Sequence, residues 1–194
     1  VDIGRVNDRY FVNTVAAGVM PEAVGSVSIE QKTRLGPMAY FLTGLKALQS
    51  RRTSLFKIES NEGTEVRRSP LIVAMLTSSV GSFNNIAPKA KVDDGTIWLA
   101  VFKEFNYLDV LKVIPEVLAG LPINSEYMTL TQIKKARISI VDDEKLSTNM
   151  DGDKGPDFPL ELEVCPSFLR VYVPRKAIQT GFNPIVVPKE LFHG

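Results

Sequence analysis

A single cysteine and a single histidine stand among 194 residues, and each scarcity removes a body of chemistry. With Cys165 alone no intrachain disulfide can form, and a reducing, cytoplasmic setting is expected. That thiol falls within an alternating apolar pattern and is read as a packing group. His193 lies beside the last residue, so neither a Ser–His–Asp triad nor a histidine-bound zinc site fits the chain. The longest uninterrupted apolar run, 71–76, is too short to span a bilayer. No charged-then-apolar signal segment opens the chain. Neither G-x-G-x-x-G nor G-x-x-x-x-G-K-[ST] occurs, so both standard phosphate-cradling loops are missing. An excess of one charge is missing too. The 23 basic and 22 acidic residues leave a formal charge of +1, which supplies no global field for nucleic acid or for a membrane surface.

What remains is an ordinary globular composition, 44% apolar and 23% charged, on a chain long enough for a sizeable core. Two extended runs open it, joined around Asn7–Asp8, with alternation at Tyr10, Val12 and Val15. Pro37 suits a first helical position, and Met38, Phe41, Leu42, Leu45 and Leu48 recur at helical steps, so 37–49 is expected to be an amphipathic helix. A second helix is expected over 107–118 despite Pro115. Elsewhere the texture is short and β-prone: "SLFKIES" and "TEVRRS" around an Asn61–Glu62–Gly63 turn, then "PLIVAMLTSS", "GTIWLAVFKEF", "YMTLTQI", "KARISIV", "FPLELEV" and "FLRVYV". The order is not a regular β–α–β alternation. It predicts a mainly β protein, an antiparallel β-sandwich carrying about two accessory helices.

Acids stand at two glycine turns. "VDDGT" holds Asp94–Gly95 and "MDGD" holds Asp151–Gly152–Asp153, each followed by an alternating strand. Either can be a plain tight turn. Either can also carry chemistry. Asp94 could offer a hard carboxylate oxygen to Mg²⁺, with the backbone carbonyls of Lys91 and Thr96 completing the site. Asp151 and Asp153, close in sequence, could hold their protons differently, so that one serves as a general base. A calcium loop does not fit, because its first position would be Ser147 and its twelfth Phe158.

The order of the motifs adds to this. "NDRYFVNTVAAGV", "KTRLGPMAYFLTGLKAL", "APKAKVDDGTIWLAVF" and "MDGD" ahead of "PLELEVCPSFLRVYVP" resemble, over about residues 5–175, the C-terminal half of bacterial diacylglycerol kinases and related lipid kinases. In that family a first domain, similar to phosphofructokinase, binds ATP through a Gly-Gly-Asp-Gly-Thr motif, and no such motif occurs here. The resemblance therefore implies that residues 1–194 are the second, β-sandwich domain of a longer lipid kinase whose ATP-binding domain lies outside this chain. It implies that 175–194 is a tail returning toward that domain.

The family's Asp-Gly-Glu signature, at which the catalytic base is placed, becomes Asp151–Gly152–Asp153 here, one methylene shorter at its third position. Asp151 is expected as the base and Asp153 as its neighbour. The family's Mg²⁺, separate from the one that accompanies ATP, falls on Asp94 with the carbonyls of Lys91 and Thr96. The implied reaction is ATP-dependent phosphorylation of the hydroxyl of diacylglycerol or a similar lipid. The full-length protein would work peripherally at the inner face of the membrane, with its own N-terminal domain as partner and a homodimer left open. The chain alone would be inactive. The competing readings are a noncatalytic β-sandwich module that binds lipid or protein, and a β-domain of unrelated ancestry.

Overall fold

The computed structural model of the chain describes residues 1–18, 53–80, 85–104, 125–142 and 145–172, together with residues 109, 112 and 121. Twelve strands fall within them: β1 (Ile3–Val6), β2 (Arg9–Phe11), β3 (Thr14–Gly18), β4 (Ser54–Ser60), β5 (Gly63–Ser69), β6 (Leu71–Met75), β7 (Ile97–Phe102), β8 (Met128–Ile133), β9 (Lys135–Ile140), β10 (Thr148–Met150), β11 (Asp153–Lys154) and β12 (Leu160–Cys165). They form two six-stranded sheets, ordered β2-β1-β12-β9-β4-β5 and β11-β10-β3-β6-β7-β8. Every pairing is antiparallel. The expected antiparallel sandwich is the observed one. The expected helix over 37–49 and the tail 175–194 lie outside the described residues. So does 107–118, apart from Asp109 and Lys112.

Period-two patterning assembles the sandwich. Val6, Phe11, Phe56, Ile58, Ala136, Ile138, Leu160, Leu162 and Val164 come from one sheet. Val15, Ala17, Ile72, Ala74, Ile97, Leu99, Val101, Ile133 and Met150 come from the other, and all of them share one buried cluster. The outer face of the first sheet is charged instead. Arg5 stands opposite Glu163 and Arg137 opposite Glu161, both as cross-strand ion pairs. Such exposed pairs each contribute only a few tenths to 1 kcal/mol. The hydrogen bond to Glu163 is the main reason the Arg5 guanidinium is held above its ordinary pKa. Gly4 lies opposite Phe11, and a Cβ there would run into the phenyl ring, so a residue without a side chain lets Phe11 fold inward.

The second sheet is apolar on both faces, which is why β6 and β7 read as continuous hydrophobic runs rather than alternating ones. Leu71, Val73, Met75, Trp98, Ala100 and Phe102 form a separate buried cluster on its outer side, with Ile86, Ala87, Tyr127 and Met128.

Two expectations fail locally. In β2 the inward residue is Phe11, while Tyr10 and Val12 are exposed, because the turn after Val6 sets the pairing one residue out of step with the expected alternation. "FLRVYV" is not a strand over its described residues. Pro166 follows the last residue of β12, Ser167 takes a φ of 53°, and Phe168, Leu169, Val171 and Tyr172 are exposed. An alternating pattern marks a strand only where a neighbouring strand and a core receive it.

Candidate active site

The "MDGD" stretch forms a two-residue hairpin turn, with Met150 and Asp153 paired on either side of Asp151–Gly152. Asp151 and Gly152 have φ of 51° and 101°, the pair of positive values that a tight hairpin turn of this hand requires. Aspartate tolerates that conformation better than most residues, and glycine adopts it without steric cost. The turn residues therefore follow from backbone geometry before any chemistry is asked of them.

The Asp151 side chain has a further task. Its Oδ2 accepts the backbone N–H of Val12 at 2.7 Å, and its Oδ1 accepts those of Asn13 at 2.9 Å and Thr14 at 2.8 Å. The Asp151 N–H donates in turn to the Thr14 carbonyl at 2.9 Å. One carboxylate thus ties the β10–β11 turn to the segment joining β2 and β3. Three of its roughly four lone-pair positions are occupied by backbone donors. Asp153 differs. It is exposed on β11, and its carboxylate makes no hydrogen bond or ion pair among the described residues. The two acids expected to work together share one hairpin turn, but with opposite commitments.

Asn13 extends the connection. Its carbonyl oxygen accepts the N–H of Leu76 at 3.0 Å, and its Oδ1 accepts the Thr77 hydroxyl at 2.8 Å. Ser79, two residues further on, is buried, and its hydroxyl has no hydrogen-bond partner among the described residues. Thr14, Met75, Trp98 and Gln132 form one row across β3, β6, β7 and β8. The Asp151 turn and the Asp94 turn are therefore at the same end of the second sheet, with Thr14 and Trp98 two strand spacings, roughly 10 Å, apart.

Asp94 is more heavily committed than Asp151. Its Oδ1 accepts the N–H and the hydroxyl of Thr96 at 3.0 and 2.8 Å. Its Oδ2 accepts the N–H of Lys91 and the indole N–H of Trp98, each at 3.1 Å. Four donors fill the acceptor positions of one carboxylate. Among the described residues no group of three or more His, Cys, Asp or Glu is placed to hold a metal. As arranged, Asp94 does not fit a Mg²⁺ ion unless one of these donors leaves. Trp98 is the sole tryptophan and reports on that exchange. Adding millimolar Mg²⁺ to the chain is expected to leave its fluorescence unchanged, whereas a saturable emission shift that Asp94→Asn abolishes would show that the ion displaces the indole.

Asp2 escaped the reading of the sequence. It is buried, its Oδ2 accepts the N–H of Gly95 at 2.7 Å, and its Oδ1 accepts that of Ser167 at 2.7 Å. Its own N–H donates to the Val92 carbonyl at 2.7 Å. It pins the Asp94 turn to the chain leaving β12. No local signal announces a partner 93 residues away.

A two-sheet antiparallel sandwich is the fold that the resemblance to lipid-kinase second domains implies. The chain belongs to the family described as the YegS C-terminal NAD kinase beta sandwich-like domain, whose model matches residues 13–173. It is 31% identical over 176 residues to a diacylglycerol kinase of Bacillus subtilis (strain 168), covering 91% of this chain and 57% of that protein. It is 28% identical over 180 residues to a diacylglycerol kinase of Staphylococcus carnosus, covering 93% and 58%. A crystal structure of a diacylglycerol kinase from Bacillus anthracis str. Sterne superposes with a TM-score of 0.63 at 20% identity, over 86% of this chain and 53% of that one, which bears on the fold alone. The chain thus spans little more than half the length of these relatives. No helix among the described residues is long and apolar enough to cross a membrane.

Proposed function

We propose that this chain is the half of an ATP-dependent lipid kinase that carries the proton-accepting carboxylate, and that Asp153 is that carboxylate while Asp151 holds the turn that presents it. The observation behind the assignment is the contrast in hydrogen bonding. A base has to reach the hydroxyl it deprotonates and have a lone pair to spare for it. Asp153, exposed and without a partner among the described residues, meets both needs, whereas three backbone donors engage Asp151. This exchanges the roles that motif position alone suggests. A turn fixed through the segment before β3 also supplies the supporting shell that keeps a functional group in place.

In the proposed reaction the Asp153 carboxylate takes the proton of a lipid hydroxyl as its oxygen attacks the γ-phosphorus of ATP. The bond from that phosphorus to the bridging oxygen breaks, ADP leaves, and the proton passes to water. The nucleotide is assigned to a domain outside this chain, because neither phosphate-cradling motif occurs in it. Diacylglycerol is the first lipid to test, since the relatives carry that name. Mg²⁺ accompanies ATP in this reading, and no step is assigned to an ion on Asp94.

The test is a chimera in which this chain replaces the matching 57% of the Bacillus subtilis protein. The chimera is expected to convert ATP and diacylglycerol to ADP and a phosphorylated lipid, and the chain alone is expected to transfer no phosphate. A folded chimera that binds ATP and forms no phosphorylated product from any hydroxyl lipid would sink the reading.

A further inference from the structure

We infer that this domain has a second site, a pocket for a phosphomonoester dianion, where the chain crosses from β8 in one sheet to β9 in the other. A cavity of about 480 Å³ opens there, lined by Asn61, Asp94–Gly95, Lys134–Lys135, Glu163–Val164 and Pro166. Its charges leave an excess of one cation once Arg5 is counted with Glu163, because Asp94 keeps its negative charge against two lysines. Glu163 is ion-paired with Arg5 on the outer face of the first sheet, and Asp94 is filled by its four donors. The ammonium groups of Lys134 and Lys135 make no hydrogen bond or ion pair among the described residues. Although Lys135 stands opposite Glu163 on the neighbouring strand, the two ammonium groups on one wall of the cavity are charged donors for the oxygens of one phosphate.

The backbone carrying these lysines is held from both sides. The Asn61 Oδ1 accepts the N–H of Lys134 at 2.8 Å and that of Lys135 at 3.3 Å. The Lys134 carbonyl accepts the N–H of Val164 at 2.9 Å. Only the flexible side chains then need ordering when a ligand arrives, which limits the entropy lost on binding. The cavity exceeds one phosphate group, and the exposed Pro166 offers apolar surface for the organic part of an ester. The chemistry fits equally a phospholipid whose headgroup is a bare phosphate and a small soluble phosphate ester. This site stands apart from the kinase reading, and its binding is measured on the chain without catalysis.

Phenyl phosphate is the probe, titrated into the chain at low salt and followed by amide chemical shifts. Saturable shifts are expected at Asn61, Lys134, Lys135 and Val164. The Lys134→Gln/Lys135→Gln variant is expected to bind about tenfold more weakly or worse, given the Coulomb energy two cations lend a dianion even in water. An Arg67→Gln/Arg68→Gln variant removes the same charge from β5 and is expected to bind as the parent does. No saturable binding, or equal weakening in the two variants, overturns the site. In a second arm the chain is floated with vesicles of phosphatidylcholine with or without phosphatidate. Phosphatidate-dependent retention that the lysine variant loses identifies a lipid headgroup as the source, and phenyl phosphate binding without retention identifies a soluble ester. Retention unaltered by the lysine variant, together with unaltered phenyl phosphate binding, also overturns it.

Discussion

Asp151→Ala is expected to destabilise the chain by roughly 2–4 kcal/mol, most of it from three backbone N–H groups losing a charged acceptor. The N–H groups of the exposed Val12 and half-buried Asn13 can turn to water and recover part of the loss. Thr14 is buried, and its N–H is stranded when the carboxylate goes. A smaller part arises because alanine at a φ of 51° is strained where aspartate is tolerated. Asp151→Asn separates the two parts. It keeps the backbone preference and one acceptor oxygen, and is expected to lie between the parent and the alanine variant. Urea unfolding with an unchanged slope is the measurement, so that a shifted midpoint reads as stability rather than altered compactness. A loss below about 0.5 kcal/mol for Asp151→Ala, the size of an ordinary surface substitution, contradicts the tie between the two turns.

Much of the architecture was legible because period-two alternation and turn chemistry are local. "SLFKIES" and "TEVRRS" became β4 and β5, with the turn shortened to Asn61–Glu62 and Gly63 opening β5 opposite Ser60. Leu160, Leu162 and Val164 point inward as their spacing required. The exceptions occur where a backbone break or the lack of a receiving core outweighs the alternation. Phe168 to Tyr172 alternate as well as β12 does, but they follow Pro166 and a left-handed Ser167 and are not received by a core. The site was legible in residue type and illegible in commitment. Asp94, Asp151 and Asp153 were singled out by the glycine turns. Which carboxylate is occupied depends on donors 137 to 139 residues away for Asp151 and on the folding of the turn itself for Asp94. Asp2, and Asn61 beyond its place in the turn, bridge segments remote in sequence, and a pattern read along the chain does not register that kind of role.

The division between the two acids of "MDGD" leads to the largest expected effect. In the chimera with the Bacillus subtilis protein, Asp153→Asn keeps the size and polarity of the side chain but removes its ability to take a proton. Removing a general base typically lowers turnover by ~10²–10⁴-fold. A group needed only as the transition state forms should leave the binding of ATP and lipid nearly intact, so kcat and kcat/KM should fall together. Asp151→Asn is expected to reduce activity much less, in step with the folded fraction measured by unfolding, because its work is done before any substrate arrives. Asp153→Glu lengthens the side chain by one methylene, retains the proton-accepting group and is expected to stay within a few fold of the parent, since an exposed side chain on β11 has room to adjust its reach. A collapse at 151 with a mild loss at 153 would instead return the base to Asp151, with its backbone donors serving to aim it. If both asparagine variants of a folded chimera keep the parent's turnover, the stretch is a solvated hairpin turn and the proton acceptor lies elsewhere.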